Sequence, residues 1–440
     1  MQIKMQIKLW FFIQDKEEGQ RMKKISLWIL ATLLVVALTT PAAAFENEFG
    51  GLWRARYFLQ ENFNGEGNGA TDVARADQRT RLYYTAHFSE SFKLINKFEM
   101  DATWGDNGAT SYGDIGADGV AVEIKNTYAD FVLSDLNFKI GTQHKTASRG
   151  ILFDDDFSGV IARYVSDTVI FPLIWMRANE GGPGRDRFEG DVDYLLLDPR
   201  FLVSENIWLN PFVMYIHSGD ASGWAATTGN QDIDVYFLGV NVDADMDFGS
   251  LWFTGIYEYG TVDTTPGSAL GGDDLDVAAF VVAAGASVKA GPADIHGQLL
   301  YASGDDDPTD SDAEAFYVPK GQSYYWAEIM GLGVFDNQAS TGAPGDQISN
   351  VYFGNIGASF NPMEDLTLKF DLWYACHSED DPNGEDVLGT EADVRADYKL
   401  VENITLTAVG AYLFADDATS TDGKNDEDPY EVGIQLQFTF

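Results

Sequence analysis

The chain has 440 residues, with 28 lysines and arginines against 69 aspartates and glutamates and a formal net charge of −41 at pH 7. Such acidity repels nucleic acid, while 45% hydrophobic and 13% aromatic residues are too many for a disordered acidic chain. The single cysteine, Cys376, excludes an intramolecular disulfide framework.

In chain order, the first element begins at Met22, in "MKKISLWILATLLVVALTTPAAAFENEF". Two lysines precede an apolar stretch from Ile25 to Leu38, and Ala42-Ala43-Ala44 forms a small-residue cleavage pattern. This is the layout of a secretory signal peptide, and the apolar run is short for a membrane-spanning helix. Residues 1–44 are therefore read as a signal segment, with 1–21 an upstream mis-start and the mature chain beginning at Phe45. From 45 to 200 the chain carries 16 basic and 25 acidic residues, and from 201 to 440 it carries 6 and 41, so the cations are concentrated early.

After the signal segment no useful helical period appears. Segments of about ten residues alternate apolar and polar side chains, the period of a two-faced strand. In "QRTRLYYTAHF" (78–88), Arg79, Arg81, Tyr83, Thr85 and His87 share one face, and Leu82, Tyr84 and Phe88 the other. "FKLINKFEMDATW" (92–104) opposes Lys93, Lys97, Glu99 and Asp101 to Phe92, Leu94, Phe98 and Trp104. "DTVIFPLIWM" and "VAAFVVAAGASV" are apolar on both faces, which suits packing against a neighbouring subunit or a folded-in loop. "DVRADYKL" (393–400) returns to clean alternation, and the chain ends on "YEVGIQLQFTF", apolar at Val432, Ile434, Leu436, Phe438 and Phe440.

Two kinds of connection alternate between these segments. Eight are short, at 89–91, 134–136, 165–167, 204–206, 244–247, 290–294, 361–365 and 401–403; the others are long and rich in Gly, Asp, Asn, Ser and Thr. Alternating turn lengths, a high strand count and aromatic residues at segment ends distinguish an up-and-down barrel from a soluble sandwich. The expected fold is all-β: a transmembrane antiparallel β-barrel over 45–440 with about 18 strands, or 16 if the short pieces at 158–165 and 168–177 do not both span. The expected interior is water-filled rather than a packed core.

The signal peptide, the meander and the C-terminal strand together resemble the Gram-negative outer-membrane porins. The resemblance implies a bacterial outer-membrane location, with lipid and lipopolysaccharide as surroundings. It implies that Val432, Ile434, Leu436, Phe438 and Phe440 mark the strand for the barrel-assembly machinery. It also implies a homotrimer, and a loop folded inward to oppose a basic wall. The basic ladder would be Arg54, Arg56, Arg79, Arg81 and Lys97, and the acidic side of the constriction Asp154, Asp155 and Asp156 in "TASRGILFDDDFSG". That third loop is short for the purpose. The longest connection, 304–346, is a second candidate for the plug or for a subunit clasp.

No catalytic residue, metal site or cofactor is expected. The five histidines are scattered, no G-x-S-x-G occurs, and the acidic runs at 305–307, 379–381 and 426–428 lack calcium-loop spacing. The expected function is a passive diffusion channel for ions and small hydrophilic solutes, cation-preferring because of its acidity. The alternative is a barrel scaffold or receptor holding an electron-transfer or surface partner.

Overall fold

The computed structural model describes residues 45–440 except 109–110, 117–120, 182–189, 223–229, 265–273 and 308. The signal segment expected at 1–44 lies outside the described residues. Eighteen strands form the wall. The first six are β1 (Glu46–Glu61), β2 (Val73–Ser89), β3 (Phe92–Thr103), β4 (Glu123–Leu133), β5 (Leu136–Ala147) and β6 (Phe153–Val165). They are followed by β7 (Val169–Asn179), β8 (Val192–Leu197 and Arg200–Ser204), β9 (Ile207–Ser222), β10 (Asn230–Met246), β11 (Gly249–Thr264) and β12 (Leu275–Ala290). The last six are β13 (Ala293–Ala302), β14 (Val351–Met363), β15 (Leu366–Cys376), β16 (Val387–Val401), β17 (Ile404–Ala415) and β18 (Tyr430–Thr439). Strand β8 breaks at Asp198-Pro199, where proline has no N–H to give the ladder.

Each strand pairs antiparallel with its sequence neighbours, and β1 also pairs with β18, in register Trp53↔Phe438 and Tyr57↔Ile434. The sheet is thus a closed barrel of eighteen strands, with no edge left to expose unpaired backbone groups. All eight short connections lie at the end of the barrel that holds β1's first residue and β18's last. At the seam, Phe440 exchanges backbone hydrogen bonds with Gly51, at 2.8 and 3.1 Å. A Cβ on Gly51 would stand 2.6 Å from the Phe440 ring, so the terminal aromatic has its seat only because residue 51 lacks a side chain.

The alternation places apolar side chains outside. Leu299, Ile356, Leu173 and Ile434 are each more than half exposed on the outer face, as a lipid-facing wall requires.

The interior differs from the expected water-filled lumen. On β7–β12 the inward face is apolar: Ile174, Met176, Leu196, Met214, Ile216, Val235, Phe237 and Val281 are all essentially buried. They form one cluster with Ile151, Leu152 and Phe153 and with Phe316, Ile329 and Met330. The partners come from two segments folded into the barrel, and this accounts for the stretches that read as apolar on both faces. Burying each such side chain contributes roughly 1.5–3 kcal/mol.

The first folded-in segment is the tip of the β5–β6 hairpin. Strand β4 pairs with β5 only as far as Thr142, and β7 meets β6 only from Ser158, whereas β5 and β6 stay paired out to Ala147↔Phe153. Residues 143–157 therefore leave the wall and cross the lumen. The second is the connection between β13 and β14, residues 303–350. Trp326 stacks on Phe353 at 4.1 Å between ring centroids and meets Trp373 edge-on. Glu391, on the inner wall, accepts the N–H groups of Ile329 and Met330 at 2.6 and 2.9 Å. Glu258, a lone carboxyl among apolar wall residues, accepts the N–H of Tyr317.

Candidate functional site

Between the folded-in segments and the wall of β2–β4 lies a cavity of 810 Å³. The wall supplies Arg79, Arg81, Tyr83, Lys97, Glu99 and Lys125. The hairpin tip supplies His144 and Asp154–Asp156, and the long loop supplies residues 320–323, Tyr325, Asp336 and Asp346.

The wall cations lie on the lumen face because β2 and β3 alternate, and register gives most of them partners. Arg79 faces Asp101 and Arg81 faces Glu99 across the β2–β3 ladder. Arg79 forms a two-pronged pair with Asp101 at 2.7 and 2.5 Å and stands 3.3 Å from Glu99. Arg81 is ion-paired to Glu99. Lys97 has no carboxylate within 4 Å among the described residues, and its ammonium sits 5.3 Å over the Tyr83 ring. Lys125 enters the lumen at a register shift between β3 and β4 and reaches Asp156 at 3.2 Å.

The opposite side is acidic. Asp154 lies 3.1 Å from His144, and Asp156 accepts from Asn126 at 2.7 Å. Asp336 accepts the Tyr325 hydroxyl at 2.9 Å, and Asp346 accepts that of Ser323 at 2.8 Å. Burial pushes the Asp346 carboxyl up, the Ser323 hydrogen bond opposes this, and the charges of Asp336 and Asp155 add to the rise. Five lysines and arginines and six carboxylates line the cavity. The near-balance means that the field runs across the cavity, from basic wall to acidic plug, rather than giving the site one sign.

Not all of the sequence-predicted residues meet here. Arg79, Arg81, Lys97 and Asp154–Asp156 line one cavity. Arg54 and Arg56 sit beside it on the inner face of β1. Arg56 is buried beneath the long loop, paired with Asp77 at 2.7 Å and donating to the Phe335 carbonyl. The Nε of Arg54 has no hydrogen-bond partner among the described residues. The three aspartates belong to strand β6, on the part that folds inward; the connecting loop itself is only 148–152. Val432, Ile434, Leu436, Phe438 and Phe440 lie on the outer face of β18, and Phe440 closes the seam.

Sequence reasoning missed Asp336, Asp346, Lys125 and His144. The available signal was the aromatic and aliphatic content of 316–335, which a solvated loop has no use for. It also missed the wall's continuation toward the short-turn end. There Lys139 lies 5.4 Å over the Tyr128 ring and Arg163 donates to Asn137 at 2.8 Å. Across the hairpin tip is a second cavity of 340 Å³, lined by Lys145, Arg149, Asp198, Arg200, Asn241 and Asp243, among others. Among the described residues, no group of three or more His, Cys, Asp or Glu side chains is arranged to hold a metal ion.

No protein-family model matches the sequence, and no curated protein is significantly similar to it. Solved structures share the fold at low identity. OccAB1 of Acinetobacter baumannii is 12% identical, with a TM-score of 0.58 over 90% of this chain and 96% of that one. OpdK of Pseudomonas aeruginosa, solved with vanillate, is also 12% identical at a TM-score of 0.58, over 90% of this chain and 98% of that one. OccK5 (OpdH) of the same species is 12% identical at 0.57, over 90% and 98%. At this identity the likeness shows the fold: a closed eighteen-stranded antiparallel barrel.

Proposed function

We propose that the chain is a bacterial outer-membrane channel through which ions and small hydrophilic solutes diffuse, with a preference for cations. The observation that carries this reading is a barrel greasy outside and closed all round, enclosing an 810 Å³ cavity whose lining is charged on two opposed sides. The location is supported by the apolar outer face, and by the neighbour described as the outer membrane protein OpdK. Cation preference follows from the state of the charges. Arg79 and Arg81 are neutralised by carboxylates of the adjacent strand, while Asp155, Asp336 and Asp346 have no lysine or arginine within 4 Å among the described residues.

A second reading, selectivity for small organic anions, is favoured by Lys93, Lys97, Lys139 and Arg163. These form a track on the same wall with no carboxylate within 4 Å among the described residues. The vanillate solved with OpdK is a solute of that kind. Reversal potential in a potassium chloride gradient across a planar bilayer separates the two readings. A potential of the cationic sign supports the first, one of the anionic sign supports the second, and absence of conductance refutes both. Assembly as a homotrimer, recognition of β18 by the barrel-assembly machinery and contact with lipopolysaccharide belong to the same proposal. The mass of the detergent-extracted complex tests the first of these.

A further inference from the structure

The hairpin tip that narrows the lumen is held from two sides. On one side it meets the long loop. Asp154 N–H donates to the Gly321 carbonyl at 2.7 Å, Ser323 N–H to that of Gly150 at 3.2 Å, and the Gln322 side chain to that of Ile151 at 2.6 Å. On the other side it meets the wall of β8–β11 through two cations. Lys145 Nζ lies 2.6 Å from Asp198, whose carboxylate is nearly buried and also accepts from Asn210 at 2.9 Å. Arg149 is ion-paired to Asp243 and donates to Thr254 at 2.9 Å and Asn241 at 3.3 Å. Its guanidinium stands 4.7 Å over the Trp252 ring, and Asn241 donates back to the Ser148 hydroxyl at 3.1 Å.

The backbone that aims Arg149 is unusual. Ser148, Arg149 and Gly150 have successive φ values of 50°, 62° and 91°. Two consecutive non-glycine residues in the left-handed region persist only where their surroundings over-determine them. Here the conformation turns the arginine onto the far wall. A Cβ at Gly150 would lie 2.1 Å from the Ser323 carbonyl oxygen, so the tip is seated against the loop without slack.

We propose that Lys145 and Arg149 are positioning residues: charged struts that fix the hairpin tip against β8–β11. They thereby set the width of the constriction on the other side and keep the 810 and 340 Å³ cavities apart. The inference rests on the channel reading for its consequence and on the contacts alone for its geometry. The struts act on charge as well as on size. Each takes a cation out of the solute's field by pairing it with a wall carboxylate. Truncating Arg149 loosens the tip and leaves Asp243, among the described residues, with Arg200 3.9 Å away as its one cation. Width and selectivity therefore change together, which a merely structural residue would not produce.

Two measurements decide it. In planar bilayers, Arg149→Ala is expected to have a larger unit conductance than the wild type and a reversal potential shifted toward the cation side. The swap Arg149→Asp/Asp243→Arg is expected to return both toward wild type, whereas Arg149→Asp alone does not. Unchanged conductance and reversal potential in Arg149→Ala, with wild-type heat-modifiable gel mobility, would overturn the proposal. The second measurement needs no current. In a Cys376→Ala background, the pair Ser148→Cys/Asn241→Cys is oxidised to a cross-link across the strut contact. Adding Arg149→Ala is expected to slow the cross-linking several-fold, and equal rates would overturn the proposal. A wild-type protein that carried no current would remove the channel reading while leaving the cross-linking result to decide the struts.

Discussion

The two halves of the lumen wall differ in what they ask of the polypeptide. Along β1–β5 many inward residues are charged, some paired across neighbouring strands, as in Arg79 with Asp101 and Arg56 with Asp77, and others over aromatic rings, as in Lys97 and Lys139. Along β7–β12 they are mainly Ile, Val, Met and Phe, packed against the hairpin tip and the long loop, with a polar group of Asn241, Asp243 and Thr254 under Arg149. A barrel of eighteen strands is too wide for its own side chains to fill. This one fills one side with folded-in chain and leaves a charged cavity on the other. The apolar half gives the plug its purchase, and the charged half gives the 810 Å³ cavity its chemistry. Most of the stability of the constriction therefore resides away from the residues that line it.

That contrast can be broken from either side. The largest effect is expected where the long loop packs on apolar wall residues, which continue beyond β12 onto β14. Phe353→Ala removes the ring on which Trp326 stacks and leaves a cavity under the long loop, a loss of about 3–5 kcal/mol for a buried aromatic. Lower heat resistance of the folded band and faster proteolysis within 303–350 are the expected readouts; wild-type values for both would show that the loop is held elsewhere. Next comes the charged half. Asp336→Asn with Asp346→Asn removes two carboxylates of the plug and leaves the barrel intact. The cation-to-anion permeability ratio should fall by about twofold or more, and no change would place the selectivity filter at another level.

A smaller effect is expected from pH. Burial, opposed by the Val334 N–H and Arg395 and helped by Glu391 and Asp371, pushes the Glu328 carboxyl up to about 7. The seated loop holds this proton more tightly than an unfolded chain does. Its contribution is therefore complete below the ordinary value of 4.5 and is lost as the pH rises through about 7. Hydrogen-exchange protection in 316–335, taken relative to the intrinsic exchange rate at each pH, should fall between pH 5 and pH 8, and Glu328→Gln should flatten that dependence. The smallest effect is expected on the loop surface, where Asp380→Asn should change stability by no more than about 0.5 kcal/mol. A large shift there would reveal a role for the acidic rim.

The same contrast explains how much could be read in advance. The eighteen strands were legible because each short turn interrupts a period-two pattern, and all eight turns expected from sequence connect wall strands. The two doubly apolar stretches left a neighbouring subunit and a folded-in loop both open, and their inward side chains pack on folded-in chain. The pairing of Arg79 with Asp101 follows once register is known. Asp336 and Asp346 were not legible. They join Asp154–Asp156 only after two distant segments fold into one lumen, and local periodicity carries no trace of that. Nor does it show that Arg54 and Arg56 stand outside the cavity. A strand face records which way a side chain points, not what is folded down over it.

The central claim, water on one side of the lumen and packed chain on the other, is tested most directly by cysteine accessibility under current recording. Single cysteines at Lys97 and at Val235 would be exposed to a small charged thiol reagent in an open channel, with the native Cys376 replaced by alanine. The current through Lys97→Cys is expected to change within seconds of addition and the current through Val235→Cys to stay constant. Modification at Val235 with none at Lys97 would mean that solute runs along the opposite wall, and would contradict it.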